Sequence, residues 1–81
     1  MGWMGWKKTI KFKMTFPEKM IGDPVLYRLS QDLGVAPNIL RGRITENDAW
    51  LEVELIGVEE NIGKAIEFLG EQGVSIEKLE D

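Results

Sequence analysis

The order of two kinds of apolar spacing along the chain limits its possible folds more than any other feature. Apolar residues alternate, or form a short run, in residues 9–16, 38–45, 49–55 and 74–76. They recur every three to four residues in residues 24–33 and 62–73. Alternation predicts half-buried strands, and a spacing of three to four residues predicts amphipathic helices. In chain order, the helical stretches are the second and the fifth of the six. The predicted order is therefore strand, helix, strand, strand, helix, strand.

Two helices with one apolar stripe each can both bury it only on the same face of a sheet. We therefore predict an α+β protein with the ferredoxin-like βαββαβ arrangement, in which a four-stranded antiparallel sheet carries two helices on one face. In this arrangement the third strand lies between the first and the second, and the fourth lies outside the first. The predicted cross-strand neighbours on the open face are Lys11 and Lys13 with Glu52 and Glu54, flanked by Arg41 and Arg43.

Local signals set the expected boundaries of these elements. Asp23 is typical of a helix N-cap and Pro24 of a first helical residue, while Gly34 is typical of a helix end. Gly57 is expected to break the third strand. In the second strand, alternation predicts that Leu40, Gly42 and Ile44 point inward, and that Ile39, Arg41 and Arg43 point outward.

Composition narrows the function classes. Eighty-one residues form one domain, for which we expect a flexible leader at 1–7, a folded part at 8–79 and a tail at 80–81. The chain has no cysteine and no histidine, so neither cofactor nor metal is expected. A net charge of -4 argues against nucleic-acid binding. No apolar run has the length to insert in a membrane, and a cytoplasmic setting fits.

Two residues have ordinary structural explanations beside functional ones. Asn38 follows Pro37 at the start of a strand, where its side chain can fix the turn from the helix by bonding to nearby backbone. Trp50 is an aromatic residue on the charged face. It either packs over the stems of lysine and arginine or lies in a protein interface.

The whole pattern resembles the NIL domain, a family named for three residues that are Asn38-Ile39-Leu40 here. The resemblance spans roughly residues 8–79. Further matching segments are Thr15-Phe16-Pro17, Asp23-Pro24-Val25, Leu33-Gly34-Val35, Arg41-Gly42-Arg43-Ile44, Ala65-Ile66-Glu67-Phe68-Leu69 and Gly73-Val74. The family has the ferredoxin-like fold predicted above. In methionine importers of the ABC type, such a domain follows the ATPase and binds L-methionine. Other NIL domains are joined to ferredoxin-type iron–sulfur modules.

The resemblance implies a regulatory domain that pairs as a homodimer and binds L-methionine or a related sulfur amino acid. Asn38 matches the family's ligand-associated asparagine, and backbone groups around Pro37 and Ile39 are expected to assist it. Ile39, Leu26 and Tyr27 are candidates for an apolar pocket around a thioether. The expected parent or partner is an ABC ATPase or a ferredoxin module.

The chain itself has no ATPase phosphate loop. Two other function classes are alternatives to the sensor. The first is a protein-interaction module that docks a partner, such as an iron–sulfur subunit, through Trp50, Arg41 and Arg43 or through the free sheet edge. Catalysis is not expected, because the segment 17–22 has too little glycine and the wrong charge for the phosphate loop of small ferredoxin-like acylphosphatases.

Overall fold

The structure is a computed structural model that describes residues 7–80, and its elements follow the predicted order. The strands are β1 (Lys7–Phe16), β2 (Ala36–Ile44), β3 (Ala49–Val58) and β4 (Ser75–Lys78), the helices are α1 (Val25–Asp32) and α2 (Glu59–Glu71), and a short 3-10 turn spans Glu18–Met20. The antiparallel strands are arranged β2-β3-β1-β4. The predicted α+β, ferredoxin-like fold and its strand order are confirmed.

The core lies between one face of this sheet and the two helices. Phe12, Met14 and Phe16 of β1 are buried there, and so are alternate residues of β3. The buried apolar residues of the described chain outside β1 are Met20, Val25, Leu29, Val35, Ala49, Leu51, Val53, Leu55, Ile62, Ala65, Leu69 and Val74. Every second residue of the central strands therefore faces the helices, as the alternation predicted.

The predicted leader falls partly outside this description. Residues 1–6 and Asp81 lie outside the described residues, whereas Lys7 is already the first residue of β1 and pairs with Val58. The first strand thus begins two residues before the predicted Thr9. No helix of the described chain is long and apolar enough to cross a bilayer.

Helix α1 begins one residue later than predicted. Pro24, not Asp23, occupies the N-cap position, and no side chain caps the helix. The carboxylate of Asp23 instead accepts a hydrogen bond from Arg28, one turn into the helix. Gly34 ends the helix as predicted, with a φ of 68° that favours glycine.

Gly57 does not break β3, contrary to the sequence-based prediction. The strand continues through it to Val58. Gly57 is buried, and a Cβ at this position would lie 3.3 Å from the carbonyl oxygen of Gly34. Here glycine permits close approach of the segment that follows α1, so its presence reflects packing and not a turn.

A β-bulge in β2 corrects the predicted faces of that strand. Ile39 pairs with Val53 and Arg41 pairs with Glu52, so Leu40 is an extra residue between them. Residues directly opposite one another point to the same face, and Val53 is buried beneath the helices. Ile39 therefore belongs to the helix-facing side, not to the outer side, and Leu40 has no partner in the β3 register.

Candidate functional site

An apolar groove of about 230 Å³ opens beside the edge strand β2, on the helix-facing side of the sheet. Its walls come from the segment between β1 and α1, from the first turn of α1, and from β2 and β3. The lining residues are Phe16, Met20, Ile21, Gly22, Asp23, Pro24, Val25, Leu26, Tyr27, Ile39, Ile44, Ala49 and Leu51. The fold thus brings together three of the predicted ligand-binding residues: Leu26, Tyr27 and Ile39.

The groove continues into an exposed apolar surface. Four large hydrophobic residues of the described chain are exposed, namely Tyr27 (62%), Ile39 (55%), Leu40 (43%) and Ile44 (65%). Tyr27 belongs to α1 and the other three to β2. Strand β2 pairs only with β3 among the described strands, so its second edge carries unpaired backbone groups. An apolar rim beside a free strand edge is typical of a binding surface.

The structure places Asn38 on the other side of the sheet from the groove. Asn38 pairs with Glu54 in the register, and its side-chain Nδ2 donates a 3.0 Å hydrogen bond to Glu54 Oε1. Pro37 lies opposite Leu55, on the helix-facing side, but does not line the groove. The two residues therefore flank the groove along the β2 edge, and the Asn38 side chain does not enter it.

The outer sheet face carries the predicted cross-strand charges. Lys11 lies opposite Glu54 and Lys13 opposite Glu52, as predicted. Arg41 flanks Glu52 and donates two hydrogen bonds of 3.1 Å to its carboxylate.

One predicted neighbour on this face is different. The bulge places Arg43 opposite Trp50, not beside a glutamate. The Lys13 ammonium lies 5.2 Å from the centroid of the Trp50 ring. The half-buried tryptophan thus contacts a basic side chain, as one of its two interpretations requires.

The Arg41–Glu52 pair affects the acidity of both groups. Hydrogen bonds from Arg41 hold the pKa of Glu52 below its ordinary value of 4.5, although partial burial opposes the shift, and the positive charges of Arg41, Lys13 and Lys11 add to it. The pKa of Arg41 is raised by the same hydrogen bonds and by the negative charge of Glu52. The Arg41 side chain is 71% exposed and that of Glu52 only 21%, so the pair lies at the surface over the middle of the sheet.

We expect this pair to make stability depend on pH below about 4.5. A carboxylate with a lowered folded-state pKa stabilises the protein above its unfolded-state pKa, and that contribution is lost as the pH falls through the folded-state value. The stability advantage of the wild type over Glu52→Gln should therefore shrink between about pH 5 and pH 3 in urea unfolding experiments. Glu46→Gln, in the exposed β2–β3 turn, is the control. An acid response of Glu52→Gln identical to that of the wild type would contradict the prediction.

Sequence reasoning missed part of the groove. Met20 and Ile21 belong to the segment 17–22, for which the sequence predicts only the absence of a phosphate loop, and Asp23 is predicted as a helix cap. The apolar pair Met20-Ile21 beside Pro17 was the available signal that this segment returns to the core. In the described part of the chain, no group of three or more acidic, histidine or cysteine side chains is arranged to hold a metal ion.

The chain is similar to a known protein family and to solved structures. The family model for the NIL domain matches residues 11–78. The fold is also similar to the "C-terminal domain of ABC transporter / ATP-binding protein from Enterococcus faecalis", with a TM-score of 0.77 and 25% sequence identity. That match covers 89% of this chain and 84% of the other. No curated protein matches the chain significantly.

Proposed function

Since this chain belongs to the NIL domain family, we propose that it is a regulatory domain that binds L-methionine or a related sulfur amino acid as a homodimer. The observation that carries the proposal is the groove beside the Asn38 segment, which Leu26, Tyr27 and Ile39 line together. In this proposal the domain binds its ligand without chemical conversion. Its setting is the cytoplasm.

The groove has the chemistry that a thioether requires. Its wall is apolar apart from Asp23 and the hydroxyl of Tyr27, and methionine sulfur makes favourable contacts with aromatic rings. Its volume of about 230 Å³ lies below the 300–1,000 Å³ usual for drug-sized ligands, which suits a molecule as small as one amino acid.

The Asn38 segment lies beside the groove at the free edge of β2, although its side chain points to the outer sheet face. Asn38 is the chain neighbour of Ile39, and consecutive Cα atoms are about 3.8 Å apart. A ligand seated against Ile39 at the free strand edge therefore lies near the backbone of Asn38. The side-chain amide offers two donors and one acceptor for an amino acid once it leaves Glu54.

Pairing of two β2 edges explains the exposed apolar residues on this side. Ile39, Leu40 and Ile44 leave about half of their apolar surface exposed in the monomer, and the backbone of an edge strand is a ready template for another strand. A two-fold axis beside β2 would bury these residues in both subunits and bring the two Asn38 segments together.

The output of binding requires a second protein or domain. The Enterococcus faecalis relative is part of an ABC transporter ATP-binding protein, and we propose a comparable parent or partner here, either an ABC ATPase or a ferredoxin module. Ligand binding regulates such a partner only if it favours one of two states of the assembly.

Calorimetric titration of L-methionine tests this function. The wild type should bind, and Asn38→Ala should bind about tenfold more weakly, because a charged ligand group loses its hydrogen-bond partner. The matched control is Asn47→Ala, which removes the same side chain from the exposed β2–β3 turn and should leave the affinity unchanged. No heat with wild-type protein, at concentrations where it is dimeric, would contradict the sensor.

A second candidate is a protein-docking module, favoured by the charge of the outer sheet face. By strand register this face carries five basic and three acidic side chains on a chain whose net charge is -4: Lys7, Lys11, Lys13, Arg41 and Arg43 against Glu52, Glu54 and Glu77. Trp50 lies among them and is half-buried. This candidate predicts that calorimetry detects no binding of methionine. It also predicts that Trp50→Ala, but not Asn38→Ala, abolishes binding of the partner protein.

A further inference from the structure

Asp23 is the one charged side chain among the described residues that line the groove. The rest of the lining is apolar, glycine or proline, apart from the Tyr27 hydroxyl. A carboxylate in an otherwise apolar wall determines which charge a ligand can carry at that point.

The backbone fixes the position of Asp23. Its N–H donates to the carbonyl oxygen of Met20 at 3.0 Å, and its own carbonyl oxygen accepts from the N–H of Val25 at 2.8 Å. Pro24 follows and restricts the backbone between these two bonds. The side chain therefore projects from a rigid turn, and the same hydrogen bonds remain when its carboxylate is replaced by an amide.

Arg28 uses only part of the acceptor capacity of Asp23. The guanidinium donates to Oδ1 of the carboxylate and also lies 5.7 Å from the ring centroid of Phe68. A carboxylate offers about four acceptor positions on two oxygens. One third of the Asp23 side chain remains exposed (33%), so a ligand can reach it.

On the basis of the function proposed above, we propose that Asp23 accepts the ammonium group of a ligand whose apolar tail lies in the groove. The site then selects primary amines with a short apolar tail. Charge-assisted hydrogen bonds are about twice as strong as neutral ones, so a ligand without the ammonium group binds more weakly.

Three probes separate the ammonium from the other ligand groups. L-Methionine carries tail, ammonium and carboxylate, N-acetyl-L-methionine lacks the ammonium, and 3-(methylthio)propylamine lacks the carboxylate. Calorimetry should show that wild-type protein binds L-methionine at least about tenfold more tightly than its N-acetyl form. In Asp23→Asn the two affinities should differ by less than about threefold, while the circular dichroism spectrum remains that of the wild type. Asp32→Asn, at the end of α1 and outside the groove, is the control with the same charge change.

The outcomes distinguish this inference from the function on which it rests. If methionine binds and Asp23→Asn keeps the full preference, the role of Asp23 is overturned and the sensor remains. If methionine fails to bind but the propylamine binds in an Asp23-dependent manner, the ammonium site stands and the sulfur amino-acid function falls. If none of the three probes binds, both are overturned.

Discussion

Gly42→Ala is expected to destabilise the domain by about 1–3 kcal/mol, although it adds only one methyl group to an exposed edge strand. A Cβ at this position would lie 2.3 Å from Leu51 Cδ2 and 2.6 Å from the Trp50 carbonyl oxygen. The leucine end can rotate away, but the carbonyl cannot move without distorting the pairing of β2 with β3. For a domain of this size the melting temperature should fall by about 4–24 °C.

Gly63→Ala is the matched control for that substitution. Gly63 lies within α2, and nothing stands within 4 Å of its Cβ position. Alanine there should raise stability by about 0.4–1 kcal/mol, because it reduces the freedom of the unfolded chain and favours the helix. The melting temperature should therefore fall below that of the wild type in Gly42→Ala and rise above it in Gly63→Ala. Equal melting temperatures for Gly42→Ala and the wild type would show that β2 lies farther from β3 than in this structure.

Gly42 also connects stability with the groove. It lies on the helix-facing side of β2 between Ile39 and Ile44, and Leu51, its neighbour across the sheet, lines the groove. If Leu51 rotates to admit a methyl group, it changes the shape of the groove wall. A stable Gly42→Ala protein should therefore also bind its ligand less tightly than the wild type.

Sequence patterns were sufficient for the central part of the fold. Strands β1 and β3 have a buried and a polar face, so alternation identified both, and opposite charges at Lys13 and Glu52 fitted the register that is observed. Glycine also predicted the helix ends at Gly34 and Gly73, because it readily adopts the positive φ values that both residues have in the structure. These features depend on local spacing and on conformations that few residue types adopt.

The candidate site was harder to predict because it depends on the edge strand. Every residue of β2 is at least partly exposed, so burial imposes no alternation that would reveal the extra residue Leu40. Strict alternation along β2 ignores this extra residue and therefore assigns Ile39 to the wrong face. Asp23 was assigned to a helix cap, since sequence alone does not show that the segment after β1 lies against β2.

Ile39→Lys is expected to weaken self-association by about a hundredfold if the β2 edges form the dimer. Full burial of an isoleucine contributes about 1.5–3 kcal/mol. Ile39 is 55% exposed in the monomer, so pairing can add about half of this value in each of the two subunits. A loss of about 3 kcal/mol corresponds to about a hundredfold rise in Kd, which sedimentation equilibrium can measure.

Gln31→Lys is the control, because it adds the same charge to the exposed face of α1, outside the groove lining, and should leave the dimer intact. An Ile39→Lys protein that still pairs like the wild type would exclude the β2 edge, and loss of pairing in Trp50→Ala would then assign the interface to the outer sheet face. Because Ile39 lines the groove as well, a monomeric variant that no longer binds methionine needs a comparison with Ile39→Val. That variant keeps the surface apolar, so it should retain both pairing and binding.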